Sequence, residues 1–93
     1  MYEKDPVKIF VVEDDQTYTK FIKYVLGLNP DLEVEYFTTG KQFLGALNKR
    51  PSIVTLDYSL PDISGEEVLK EIKAFDPDIS VIIVSAQEKI GTA

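Results

Sequence analysis

The sequence contains no cysteine and no histidine, and these two absences remove whole classes of chemistry. Without cysteine there is neither a disulfide framework nor a thiolate metal site, and without histidine there is no imidazole to act as base, acid or ligand. Basic residues are also scarce, since ten of them face sixteen acidic ones and leave a formal charge of -6. That balance argues against sequence-independent binding to nucleic acid, because phosphates would be repelled.

Long apolar runs are missing as well. No stretch approaches the roughly 18 apolar residues that a membrane span needs, and the polar N-terminus, residues 1–6, lacks an apolar signal segment. These features predict a cytoplasmic protein that does not enter a membrane. The 93 residues, of which 44% are hydrophobic, are enough for one globular domain with one modest core.

Four short segments are rich in β-branched and other apolar residues, as is typical of strands: residues 7–12, 32–37, 53–56 and 80–84. The second alternates apolar and acidic residues, which favours an edge position with one face in water. The fourth is apolar on both faces, which is typical of an interior strand.

Helical periodicity separates these strands. After residue 16 an apolar stripe recurs at helical spacing, formed by Tyr18, Phe21, Ile22, Val25 and Leu26. A short second helix carries an inner face of Phe43, Leu44 and Leu47, and a third carries Val68, Leu69 and Ile72. Asp14 or Asp15 is predicted to cap the first helix, and Ser64 with Glu67 resembles a capping box for the third.

Alternating strands and helices predict an α/β fold with right-handed crossovers and a parallel sheet. In such sheets functional groups gather beyond the carboxyl ends of the strands. Polar residues follow three of the predicted strands there: the acidic group at 13–15, Asp57 and Ser85. Carboxylates that meet in this way repel one another unless a cation lies between them, and oxygen ligands favour Mg²⁺.

A carboxylate can also act as a nucleophile and become an aspartyl phosphate. Phosphoryl transfer depends mainly on positioning and charge neutralisation, so a metal and a few donors suffice. Asp57 is best placed for attack, Asp14 is the favoured metal ligand beside it, and Ser85 could donate its hydroxyl to a phosphoryl oxygen.

Three segments now reveal a resemblance: 11–15 (VVEDD), 56–65 (LDYSLPDISG) and 84–86 (VSA). They resemble the signatures of receiver domains of two-component response regulators, and the middle segment is the most specific of the three. The resemblance implies that Asp57 is the phosphoacceptor, that Glu13 and Asp14 hold Mg²⁺, and that the backbone carbonyl of Ser59 is a further ligand. It also implies that Ser85 contacts the phosphoryl group and moves when the domain switches.

The family fold implied by this resemblance is a flavodoxin-like, doubly wound sheet of five parallel strands in the order 2-1-3-4-5. This chain is expected to supply four strands in the order 2-1-3-4 and three helices, so residues 1–93 are interpreted as one receiver domain incomplete at its C-terminus. The family pattern continues with a fifth strand, which ends in a lysine, and with a last helix, and this chain is expected to lack all three. Lys89 lies too early in the pattern to replace that lysine.

Two functions remain open. The first is a phosphoacceptor that takes a phosphoryl group from a histidine kinase or phosphotransfer protein, promoting its own phosphorylation rather than turning over as an enzyme. The second is a truncated or engineered fragment without phosphotransfer, acting as an interaction module. In both, the truncation would put the fourth strand at an edge, and the absent last helix would uncover sheet surface near Ile9, Val11 and Val54, which predicts self-association through the fourth strand.

Overall fold

A computed structural model of the protein describes residues 5–84. Its four parallel strands form one sheet in the order β2-β1-β3-β4, which confirms the predicted α/β arrangement. The strands are β1 (Val7–Val12), β2 (Leu32–Phe37), β3 (Ile53–Asp57) and β4 (Ser80–Val84). The helices are α1 (Gln16–Gly27), α2 (Gly40–Gly45) and α3 (Gly65–Phe75), with a 3₁₀ turn at Leu47–Lys49.

The main core lies between the sheet and the α2–α3 side. It contains Phe10, Val12, Phe43, Leu47, Val54, Leu56, Val68, Ile72 and Ile79. Three aromatic rings meet within it, since the ring of Phe10 lies 5.1 Å from that of Phe37 and 6.2 Å from that of Phe43, measured between centroids. Phe43 packs edge-on against the other two, an arrangement that aromatic quadrupoles favour.

Side-chain caps start the helices where the sequence predicted them. The Asp15 carboxylate accepts hydrogen bonds from the N–H groups of Thr17 and Tyr18, so Asp15 rather than Asp14 caps α1. The Ser64 hydroxyl accepts one from the N–H of Glu67 at the start of α3. These caps satisfy backbone donors that a helix leaves unpaired in its first turn.

Only part of the apolar stripe of α1 is buried. Ile22 and Leu26 are partly buried, whereas Phe21 and Val25 are exposed. The α1 crossover runs from β1 to β2, opposite in direction to the crossovers through α2 and α3, so right-handedness places α1 on the other face of the sheet. Among residues 5–84, no second helix lies beside α1 to cover the rest of the stripe.

The predicted exposure of sheet surface near Ile9, Val11 and Val54 is wrong at these three residues, because their side chains are buried. Val54 is aligned with Phe10 in the β1–β3 register and belongs to the core below α2 and α3. Ile9 and Val11 point to the opposite face, on which α1 lies. Within the strands, the most exposed large apolar side chains are instead on β4, where Ile82 is 53% exposed and Ile83 is 44% exposed. In the described part of the chain β4 pairs only with β3 and forms an edge of the sheet.

Candidate functional site

The register of the two central strands brings the predicted site residues together. Val12 is aligned with Leu56, so the next residues along β1 and β3 are Glu13 and Asp57. The N–H of Glu13 donates to the carbonyl of Phe37 at 2.9 Å, which continues the β1–β2 hydrogen bonding past the end of β1. The Glu13 and Asp57 side chains therefore leave the same end of the sheet from adjacent strands.

Three carboxylates form a cluster there. Glu13, Asp14 and Asp57 each offer an oxygen within 4.8 Å of the oxygens of the other two. Glu13 is 3% exposed and Asp57 is 4% exposed, while Asp14 is open to solvent. The site thus has two enclosed acidic groups and one that faces water, which leaves an access route from the Asp14 side.

The surroundings of Glu13 raise the proton affinity of its carboxyl group. Burial raises the pKa of its carboxyl to about 7, and the hydrogen-bonding Asp57 carboxyl and the charges of Asp57 and Asp14 add to the increase. A hydrogen bond from the N–H of Asp15 to Glu13 Oε2, 3.1 Å long, opposes it. The proton held near neutral pH relieves repulsion that a cation could relieve instead.

The loop from Tyr58 to Ser64, here called the β3–α3 loop, turns directly after Asp57. The N–H of Ser59 donates to Asp57 Oδ1 at 3.0 Å, and the N–H of Gly65 donates to the Tyr58 carbonyl at 3.3 Å. On the other side, the N–H of Tyr58 donates to the carbonyl of Val84 at 3.2 Å. These bonds fix the backbone on both sides of Asp57 and hold the N–H of Ser59 against its carboxylate.

The donor set fits a hard divalent cation. Its side-chain ligands are all carboxylate oxygens, and Mg²⁺ takes one or two carboxylates together with backbone carbonyls, waters and phosphate oxygens. Among residues 5–84, the ion pairs join Lys49 to Glu35 and Arg50 to Asp76, so no described basic side chain neutralises the cluster. The site carries negative charge without a protein counter-ion in the described part of the chain.

Of the residues that the sequence singled out, the structure brings together Glu13, Asp14 and Asp57. Ser59 lies in the adjoining loop, and its role as a carbonyl ligand stays a prediction. Ser85 and Lys89 lie outside the described residues.

One residue near the site has a partner that sequence reasoning missed. Asp62 lies in the β3–α3 loop, and its carboxylate accepts hydrogen bonds from the N–H groups of Gly40 and Lys41, both 2.9 Å long. These partners are 22 and 21 residues away in the sequence. No local pattern signals such a contact, because short-range capping motifs pair residues two or three positions apart.

Comparisons with known proteins agree with this fold. A family model described as the response regulator receiver domain matches residues 9–93. The transcriptional regulatory protein CssR of Bacillus subtilis is 35% identical over 80 residues, which cover 86% of this chain and 35% of CssR. The chain therefore spans about a third of the length of that relative.

Two solved structures of response regulators are similar to this chain in fold. The Mn²⁺-bound form of response regulator Rcp1 superposes with a TM-score of 0.80 at 27% identity. The phosphorylated cyanobacterial phytochrome response regulator RcpA superposes with a TM-score of 0.81 at 29% identity. Each alignment covers 90% of this chain and 68% of the other one.

Proposed function

Because this chain belongs to the response regulator receiver domain family of two-component systems, we propose that Asp57 accepts a phosphoryl group and thereby relays a signal. The observation that carries the proposal is the cluster of Glu13, Asp14 and Asp57 at the carboxyl ends of two adjacent strands. Asp57 is the member that ends β3 and hydrogen-bonds the loop after it. The similarity to RcpA, which has been crystallised in phosphorylated form, adds support.

In the proposed reaction, a carboxylate oxygen of Asp57 attacks the phosphorus of the donor. The new bond joins that oxygen to phosphorus, and the bond between phosphorus and the donor's leaving atom breaks. With a phosphohistidine donor the imidazole nitrogen keeps the electron pair and is protonated from solvent, and with an acyl phosphate donor the released carboxylate keeps it. The product is an aspartyl phosphate, and the chain promotes its own modification without turning over as an enzyme.

Glu13, Asp14, Asp57 and the backbone carbonyl of Ser59 are the groups that would hold Mg²⁺. When bound, the ion would offset the carboxylate charges and the charge on the phosphoryl oxygens. The cluster's oxygen donors and its lack of a described basic partner support this assignment. The Mn²⁺-bound form of Rcp1 shows that a relative binds a divalent cation.

The remaining roles follow from the family. The proposed phosphodonor partner is a histidine kinase or a phosphotransfer protein, and Ser85 is proposed to contact the phosphoryl group. A cytoplasmic location is proposed on the same grounds. Within residues 5–84 the structure contains no helix with the length and apolar character needed to cross a bilayer.

Phosphorylation by a small acyl phosphate tests this function directly. The chain is incubated with acetyl phosphate and Mg²⁺, and its intact mass is measured; we expect a gain of one phosphoryl group that depends on Mg²⁺. Asp57→Asn should abolish the gain, while Asp76→Asn, a control at a carboxylate outside the cluster, should retain it. No mass gain on the wild-type chain would favour the fragment without phosphotransfer activity.

Self-association through β4 is a second proposal, favoured by the character of the two edges of the described sheet. The β2 edge carries Glu33 and Glu35, and such charges discourage pairing between sheets. The β4 edge has no charged residue, and Ile82 and Ile83 are exposed on its two faces. An uncharged, apolar edge strand offers free backbone groups and apolar surface to another copy of the chain.

A further inference from the structure

The β3–α3 loop is fastened to α2 at a point distant from Asp57. Asp62 Oδ1 accepts from the N–H of Gly40, and Asp62 Oδ2 accepts from the N–H of Lys41. Partial desolvation would raise the pKa of Asp62, but the pKa lies below its usual value because the hydrogen bonds from these two N–H groups and from its own N–H, together with the charge of Lys41, outweigh that effect. The carboxylate is therefore kept in the charged form that accepts both bonds.

Close packing reinforces this attachment. A Cβ atom placed on Gly40 would lie 2.2 Å from Cγ2 of Ile63 and 3.4 Å from Cδ1 of Leu60. The backbone of α2 thus touches loop side chains on either side of Asp62, and only glycine allows this approach. The hydrogen bonds and the packing together join the two segments.

At its other end the same loop is held against the site. A Cβ atom on Gly65 would lie 2.7 Å from the backbone Cα of Tyr58, so the two ends of the loop are in contact. The Asp57–Ser59 hydrogen bond orients the loop's first residues toward the carboxylate cluster. Only the Asp62 carboxylate links the loop by side-chain hydrogen bonds to α2 in the described residues.

Capping of α2 does not by itself account for the two hydrogen bonds that Asp62 accepts. The Thr39 hydroxyl already accepts from the N–H of Gln42, so α2 has a local N-cap. Asp62 bonds to two earlier N–H groups of the helix and adds a connection to the loop, which Thr39 cannot supply. Both residues therefore accept hydrogen bonds from the first turn of α2, but only Asp62 also connects that turn to the β3–α3 loop.

From this difference we infer that Asp62 is a positioning residue, which ties the β3–α3 loop to α2 and so keeps the Ser59 carbonyl in place for the cation. The inference rests on the proposed function, because it concerns the same cation site. Residues that orient metal ligands without touching the metal commonly change metal affinity by about tenfold or more when removed. Losing the attachment should weaken cation binding more than it impairs transfer at saturating Mg²⁺.

The test compares Asp62→Ala with Thr39→Ala, since both remove an acceptor from the first turn of α2. Mg²⁺ affinity is measured by calorimetry, and the rate of phosphorylation by acetyl phosphate is measured across Mg²⁺ concentrations. We expect Asp62→Ala to raise the Mg²⁺ concentration for half-maximal rate about tenfold, with the maximal rate within about twofold of wild type. Thr39→Ala should change both quantities by less than about twofold.

Asp62→Asn provides a variant that keeps one accepting oxygen and nearly the same shape, so it remains informative if Asp62→Ala does not fold. It should weaken Mg²⁺ binding by an intermediate amount. Backbone amide NMR of the metal-free proteins adds a direct readout: the Ser59 amide signal should shift in the Asp62 variants and stay unchanged in Thr39→Ala.

The outcomes separate this inference from the proposed function. If wild type binds Mg²⁺ and is phosphorylated but the Asp62 variants match Thr39→Ala, the positioning role is wrong and the function stands. If wild type neither binds Mg²⁺ nor gains a phosphoryl group, both fail together. A fall in maximal rate at unchanged Mg²⁺ dependence would also overturn the positioning role.

Discussion

The carboxyl groups of Glu13 and Asp57 lie beside each other at the ends of adjacent strands, and both side chains are almost completely buried. Burial raises the pKa of Glu13 to about 7, and the contact with Asp57 adds to the increase, so the metal-free site keeps a proton on Glu13 below that pH. Two buried carboxylates without a proton or a cation between them would repel each other. The pair therefore links the stability of the fold to pH and to divalent cations.

Stability should fall as pH rises toward neutrality when no divalent cation is present. Between about 4.5, the ordinary pKa of the Glu13 carboxyl, and about 7, the native state keeps a proton that the unfolded chain has lost. Each added pH unit in that window then favours unfolding, to a total of at most about 3 kcal/mol. Urea unfolding at pH 5 and pH 8 measures the difference.

The control for this prediction is Glu13→Gln, which cannot release a proton. Its free energy of unfolding should vary much less across the same pH range. Saturating Mg²⁺ should also reduce the variation in the wild-type protein, because the cation favours the ionised carboxylates. Equal pH dependence in wild type and Glu13→Gln would contradict the assignment to Glu13.

Mg²⁺ should stabilise the protein through the exposed member of the cluster. We expect millimolar Mg²⁺ at pH 8 to raise the melting temperature of wild type, because a ligand that binds only the native state adds to its stability. Asp14→Asn should lose most of that increase, and Asp31→Asn, at an exposed carboxylate outside the cluster, should keep it. Differential scanning calorimetry with and without Mg²⁺ decides between them.

Phe43 should be the more sensitive of two phenylalanines to the same substitution. It is fully buried and packs edge-on against two other rings, so Phe43→Leu should lower the free energy of unfolding by about 1–2 kcal/mol. Phe21 on α1 is 60% exposed, and Phe21→Leu should stay within about 0.5 kcal/mol of wild type. Similar losses in both variants would contradict the described core.

If copies of the chain pair through β4, a charge on that strand should separate them. Ile82→Lys should shift the sedimentation behaviour toward the monomer at micromolar concentration, because an edge lysine opposes pairing. Leu28→Lys places the same charge at another exposed apolar position, near the end of α1, and should leave association unchanged. A wild-type chain that sediments only as a monomer would refute the proposed pairing.

Much of the fold was readable from local patterns. Strands β1, β2 and β4 begin and end where the apolar runs predicted, and β3 extends one residue further, to Asp57. The Ser64 cap was recognisable because its partner, Glu67, is only three residues away. Local signals of this kind survive in the structure because they depend on backbone geometry within one element.

Burial was less predictable. Periodicity placed Phe21 and Val25 in the apolar stripe of α1, yet both are exposed. It also gave no basis for deciding that Ile9 and Val11 are covered. A pattern shows which residues share a face, whereas burial depends on which elements pack against that face.

By itself the sequence determined the order of the elements, the oxygen-rich chemistry and the identity of the acidic residues at the strand ends, because period and residue type are local properties. Only the tertiary structure decided that Glu13 and Asp57 are buried against each other and that Asp62 reaches back to α2. Those relationships join positions 21 to 44 residues apart. Their formation depends on strand register and loop packing, which no short stretch of sequence encodes.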